Sequence, residues 1–188
     1  MEHLSDEEIA LLVQHGNAGA FRALVERYEV KLLRYGHRFL RDGKDVEDLV
    51  QETFLRAYTN IQSFDVARRF SPWLYRIAHN MFVNAIRKRG REPVSFFDPD
   101  VIFPHPTARE TTDGAIIDRA SRDAFDQCLD ELPLKYREPF ILRYIEDLDY
   151  QETAEILHIP VSTVGVRLHR ARAMLKRIYE ERQQHNMT

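Results

Sequence analysis

The chain has 188 residues, 44% of them hydrophobic and 30% charged, so most of it should fold, as one medium domain or two small ones. Its single cysteine, Cys128, excludes an intrachain disulfide and a cysteine-based zinc site, and no apolar run reaches membrane-spanning length. The net charge of −3 is unevenly spread: residues 61–92 carry seven Lys/Arg against two Asp/Glu, residues 161–188 six against two, and residues 93–160 six against fifteen.

Attraction to phosphate is local and is screened beyond about 10 Å, so two basic stripes on an acidic chain are compatible with nucleic-acid binding. They are equally compatible with solvated helix ends. The opening "MEHLSDEEIALLVQ" is acidic and amphipathic, unlike a secretory leader, and predicts a cytoplasmic protein. Apolar residues recur at spacings of three and four from Ile9 to Ile86 and from Ile116 to Ile178, which predicts an all-α protein of two small helical domains.

The first informative element is "KDVEDLVQETFLRAYTNI". A helix here buries Val46, Leu49, Val50, Ala57 and Ile61 and turns Asp48, Gln51, Glu52, Leu55 and Thr59 outward. Leu55 stands alone among charges. It is either an ordinary exposed leucine or the anchor of a protein interface.

"RRFSPWLYRIAHNMFVNAIRKRGR" follows. Ser71-Pro72 is read as the N-cap and first helical residue, with Leu74, Ile77, Ala78, Met81 and Ala85 facing a core. Trp73, Arg76, Asn80, Val83, Asn84 and Arg87 share a different face, and Lys88, Arg89 and Arg91 extend its basic end. Aromatic, amide and guanidinium groups together suit unstacked bases, because stacking tolerates any sequence and amides reach base edges. The competing reading makes Trp73 a core anchor.

The next segment, "REPVSFFDPDVIFPHPTARETTDGA", has four prolines and no helical period, which marks a linker over residues 92–115 between domains at 1–91 and 116–188. "DYQETAEILHIPVSTVGVRLHRAR" then has the grammar of a helix-turn-helix. Tyr150–Leu157 is a short amphipathic helix, and His158 suits the left-handed turn. Ser162 is read as the cap of a second helix, with Thr163 in its first turn. Val164, Leu168, Ala171, Leu175 and Ile178 form the buried stripe, with Ser162, Val166, His169, Arg170 and Arg177 opposite it. His169 and Arg170 then reach base edges, Val166 meets a thymine methyl, and Arg167, Arg172 and Arg177 suit phosphates. The alternative is a plain surface helix.

Taken in order, "DVEDLVQETFLRAY", "FSPWLYRIAHNMFVNAIRKR" and "LPLKYREPFILRYIEDLDYQETAEILHIPVSTVGVRLHRAR" resemble the extracytoplasmic-function sigma factors of bacterial RNA polymerase. The resemblance implies a non-enzymatic protein without cofactor or metal, in which two helical domains direct core polymerase to promoters and help open them. It makes Asp45, Asp48, Gln51, Glu52 and Leu55 contacts to the polymerase clamp coiled coil. It places Phe64, Trp73, Arg76, Asn80, Asn84, Arg87, Lys88 and Arg89 on the displaced minus-ten strand, with a flipped base held near the loop "NIQSFDVARRFS" and Phe64 stacking on it. It sets Ser162, Thr163, Val166, Arg167, His169, Arg170 and Arg177 in the minus-thirty-five major groove. It also implies an anti-sigma partner and a linker that threads toward the polymerase active centre. Asn84 stands where many members carry Asp, and Gly165-Val166 replaces a frequent basic-then-hydroxyl pair. A stand-alone helix-turn-helix regulator is the alternative. An enzyme is disfavoured because no His-Glu-x-x-His, phosphate loop or nucleophile elbow occurs.

Overall fold

Residues 3–40, 42–88 and 119–185 are described by a computed structural model, with side chains over 125–184 in the last span. Among them there are helices and turns and no strand. The chain divides into two compact units, residues 1–95 and 96–188. The first holds α1 (Asp6–Gln14), α2 (Phe21–His37), α3 (Gly43–Thr59) and α4 (Phe70–Lys88), with 3-10 turns at Ala18–Ala20 and Ile61–Ser63. The second holds α5 (Arg119–Glu131), α6 (Leu134–Tyr144), α7 (Tyr150–Leu157) and α8 (Val161–His185). The expected linker over 92–115 lies outside the described residues, as does Arg89.

Side chains that satisfy free amides fix the helix starts. Ser5 Oγ accepts the Glu8 N–H at 3.1 Å while the Glu8 carboxylate accepts the Ser5 N–H at 2.7 Å, a reciprocal capping box. Asp42 caps α3 by accepting the Lys44 N–H at 3.0 Å. Helix α4 departs from the sequence reading: it begins at Phe70, so Ser71 and Pro72 lie within its first turn. The Phe70 N–H donates to Glu7 Oε1 at 2.9 Å, so the capping group comes from α1, far away in sequence.

Leu24, Leu32, Tyr35, Phe70, Leu74, Tyr75 and Phe82 form the fully buried centre of the first unit. Gly36 lets α2 approach its neighbours: a Cβ there would lie 2.5 Å from Phe82 Cζ and 2.7 Å from Val46 Cγ1. The Tyr35 hydroxyl meets His79 Nδ1 at 3.2 Å, which satisfies two polar groups inside this apolar packing. The core face of α4 is wider than its spacing predicts. Leu74, Ala78 and Met81 are buried, but so are Tyr75, Phe82 and Ile86, while Ile77 and Ala85 are half-buried. The helix packs on α1, α2 and α3 at once, and a single stripe does not cover three neighbours.

In the second unit Asp149 and Glu152 form a capping box on α7, with both bonds at 2.8 Å. His158 ends that helix in the left-handed conformation, φ 54 and ψ 43, as its residue type suggests. Helix α8 starts at Val161 rather than after Ser162, and the Thr163 and Val164 amides donate to the Pro160 carbonyl at 2.9 and 3.2 Å. Its stripe of Val164, Leu168, Ala171, Leu175 and Ile178 joins Leu129, Leu132 and Phe140 in one core, as the spacing predicts. Cys128 belongs to that core, and burial pushes its thiol pKa up.

Candidate nucleic-acid interface

Helices α3 and α4 pack together, and residues at the end of α3, in the turn after it and along α4 line an open groove of about 320 Å³. Arg56, Asn60 and Ser63 line one side; Trp73, Ile77, Asn80, Met81 and Asn84 line the other. Ile77 and Met81, which the spacing assigned to the core, make an apolar floor beside the half-buried Trp73 ring. Asn80 and Asn84 hold exposed amides at the rim. An amide carries donors and an acceptor together, the pairing that a base edge requires. The groove thus offers a ring to stack on, an apolar patch from Ile77 and Met81, and directional polar groups that suit a flat heterocycle.

The far wall is held by local bonds. The Asn60 amide donates to the Arg56 carbonyl at 2.8 Å, and Ser63 Oγ donates to the Asn60 carbonyl at 2.7 Å. Arg56 itself pairs with Glu52 at 2.8 Å. The sequence reading missed Arg56, and it marked the loop that holds Asn60 and Ser63 without naming either as a lining residue, because nothing in their spacing marks residues at the end of one helix as the wall of another's groove.

Phe64 differs from expectation. It is 5% exposed, with its ring 5.3 Å from Phe70 and 5.2 Å from Trp73. In this position it supports the Trp73 ring from behind rather than offering a face to a base. Along α4, Arg76 is half-buried, and Arg87 and Lys88 are exposed at the basic end.

On the outer side of α3, Asp48 and Gln51 are exposed, Asp45 and Glu52 are half-exposed, and Leu55 is 57% exposed. The sequence-predicted surface is therefore present as one face, with an apolar side chain amid carboxylates.

In the second unit Ser162, His169 and Arg177 of α8 are exposed. Arg170 is half-buried and donates to the Tyr136 hydroxyl at 3.4 Å. Thr163, Val166 and Arg167 are buried, the last two at 5% and 7% exposure. The helical wheel set Val166 and Arg167 toward DNA. Six consecutive residues, Thr163 to Leu168, are instead enclosed, so between the exposed Ser162 and His169 this helix presents no wet face. A wheel assumes one buried stripe, and the opening turns of α8 break that assumption.

No His, Cys, Asp or Glu cluster able to hold a metal occurs among the described residues, and no described helix is long and apolar enough to cross a membrane.

The chain is similar to known proteins along most of its length. Residues 24–92 match the Sigma-70 region 2 family and residues 122–175 the Sigma-70 region 4 family. The chain is 38% identical over 173 residues to the ECF RNA polymerase sigma factor SigW of Bacillus subtilis, covering 88% of this chain and 91% of that protein. It is 34% identical over 182 residues to the ECF RNA polymerase sigma-E factor of Haemophilus influenzae, covering 93% and 95%. Among solved structures it resembles CnrH in complex with the cytosolic domain of CnrY, with a TM-score of 0.67, 28% identity and coverage of 94% and 97%. It also resembles the sigma factor RpoE in complex with the anti-sigma factor NepR from Bartonella quintana, with a TM-score of 0.64, 28% identity and coverage of 85% and 96%.

Proposed function

The chain belongs to the ECF RNA polymerase sigma factors, and from that premise we propose how its surfaces divide the work of promoter recognition. It binds core RNA polymerase and directs it to specific promoters. It contributes no catalytic chemistry of its own, and it acts where the polymerase and the chromosome are, in the cytoplasm.

The groove between α3 and α4 is the observation that carries this reading. When the duplex opens, the non-template strand loses its pairing partners, and its bases become available on both faces and edges. One base enters the groove, stacks against Trp73 and is read by the amides of Asn80 and Asn84. Arg76, Arg87, Lys88 and Arg89 hold the adjoining phosphates, which fixes register without reading sequence. Because Asn84 is neutral, it both donates and accepts, whereas an aspartate there only accepts.

The exposed face of α3 docks on the polymerase clamp coiled coil. Leu55 is its apolar anchor, and Asp45, Asp48, Gln51 and Glu52 form its polar rim. In the second unit His169 and Arg170 read base edges of the minus-thirty-five element, and Ser162 and Arg177 contact the backbone. Thr163, Val166 and Arg167 contribute to DNA only in a conformation that uncovers them. An anti-sigma protein is the regulatory partner, by similarity to a sigma factor solved with its anti-sigma factor.

The groove is tested with holoenzyme built on bacterial core polymerase. The probe is a library of premelted DNA fragments whose non-template bases are randomised, and enrichment is read by sequencing the bound fraction. The native protein enriches one base at one position by about tenfold or more, the discrimination that a good contact supplies. Asn80→Ala reduces that enrichment and leaves the other positions unchanged. An unchanged profile contradicts the assignment.

A further inference from the structure

Helix α1 precedes the residues that match region 2, which begin at Leu24, yet it holds the wall of the groove. Gln14 is the last residue of α1 and is half-buried. Its Nε2 donates to the Ile61 carbonyl at 2.7 Å and to the Phe64 carbonyl at 2.8 Å. The reciprocal bond runs from Gln62 Nε2 to the Gln14 carbonyl at 2.9 Å. At the other end of the loop, Glu7 takes the Phe70 N–H at 2.9 Å. Helix α1 therefore grips the connection between α3 and α4 at both ends.

What it grips is what shapes the groove. Ser63, a lining residue, lies between the two carbonyls that Gln14 holds. Phe64, whose carbonyl is the second of them, lays its ring 5.2 Å from Trp73, another lining residue. One hydrogen bond and one ring contact thus separate Gln14 from the groove. The chemistry is specific to an amide: two carbonyls only accept, and the Nε2 group supplies both donors from one atom. A carboxylate of the same shape opposes lone pair to lone pair.

We propose that Gln14 is a positioning residue for promoter-base recognition, setting the groove's shape, and hence its preferred base, through the Ile61 and Phe64 carbonyls. The inference rests on the groove being the base site. A loop held in its bound shape before the strand arrives discriminates between bases; a loop that must order on binding adapts to several.

The randomised premelted library tests this with holoenzymes carrying Gln14→Ala, Gln14→Glu, Gln62→Ala, Asn80→Ala and the Gln14→Ala/Asn80→Ala pair. Gln62 is exposed and its variant keeps the fold, so it decides the matter if Gln14 variants do not fold. Gln14→Ala and Gln14→Glu lower enrichment from about tenfold to under about threefold at the position that Asn80→Ala affects, and Gln62→Ala lowers it less. Affinity for core polymerase stays within about twofold, because α3's docking face is untouched. The pair is no worse than Asn80→Ala alone, since both act on one contact. The proposal is overturned if folded Gln14 and Gln62 variants keep the native profile while Asn80→Ala loses it, a result that leaves the groove reading intact. A uniform loss of binding with an unchanged profile overturns it too, as a merely structural role. If Asn80→Ala also keeps the native profile, the groove reading falls and this inference falls with it.

Discussion

Gly36 has no side chain to lose, yet it is among the most constrained residues of the first unit. Any Cβ there meets Phe82 and Val46 at 2.5–2.7 Å, and both of those side chains are fully buried. Gly36→Ala gains helix propensity but overpacks the contact of α2, α3 and α4, at a cost of about 1–3 kcal/mol. Thermal or denaturant unfolding checks this, and an unchanged midpoint contradicts the close approach. Two arginines of α8 differ in the opposite sense. Arg170 is half-buried and oriented by Tyr136, whereas Arg177 is exposed and 3.6 Å from Glu181. Arg170→Ala should lower selectivity for the upstream element by about 1–3 kcal/mol. Arg177→Ala should weaken binding evenly across sequences and make it less salt-dependent. Competition between promoter variants at several salt concentrations separates the two, and identical behaviour refutes the division of labour.

At the scale of single helices, α3 has two unlike faces, and the proposed docking uses the exposed one. Val46, Val50, Phe54 and Ala57 hold it in the unit, while Leu55 is left 57% exposed. Leu55→Ala should therefore weaken core binding by about 1–2 kcal/mol while moving stability by no more than about 0.5 kcal/mol. Core-binding titration beside a thermal melt checks both halves. This helix was legible in most of its length: Val46, Val50 and Ala57 are buried as the spacing predicts, but Leu49 is only half-buried, Ile61 lies in the turn beyond the helix, and the buried Thr53 and Phe54 were not read. The stripe of α8 from Val164 to Ile178 was legible, and so was the left-handed turn at His158. Helix α4 was legible only in part. Its first amide is capped by Glu7, across 63 positions, and no local signal records a partner so far away. The same reason hid Gln14, whose partners lie 47 and 50 positions on. Phe64 differs: its stacking role came from the resemblance, and the rings it packs on, Phe70 and Trp73, are close by in sequence. The opening of α8 failed differently. Periodicity identifies which side must be buried, but it does not say that the opposite side is wet, and Val166 is buried there.

For the whole molecule, each unit holds a surface suited to a different state of DNA. In the proposed division, the first offers a groove for single bases and the second a helix for an intact major groove. The net charge of −3 gives no general attraction to DNA. Specificity therefore depends on both surfaces being presented at once by a third body, which is the role of core polymerase. A stand-alone regulator needs no such body and binds its site unaided, usually as a dimer on a palindrome. The two accounts separate in one experiment: run-off transcription from fragments of the source genome, with bacterial core polymerase, with and without this protein. Discrete transcripts that need both the protein and core, together with stable core binding, are the predicted result. Absence of core binding, with tight polymerase-independent binding to a palindrome, contradicts it.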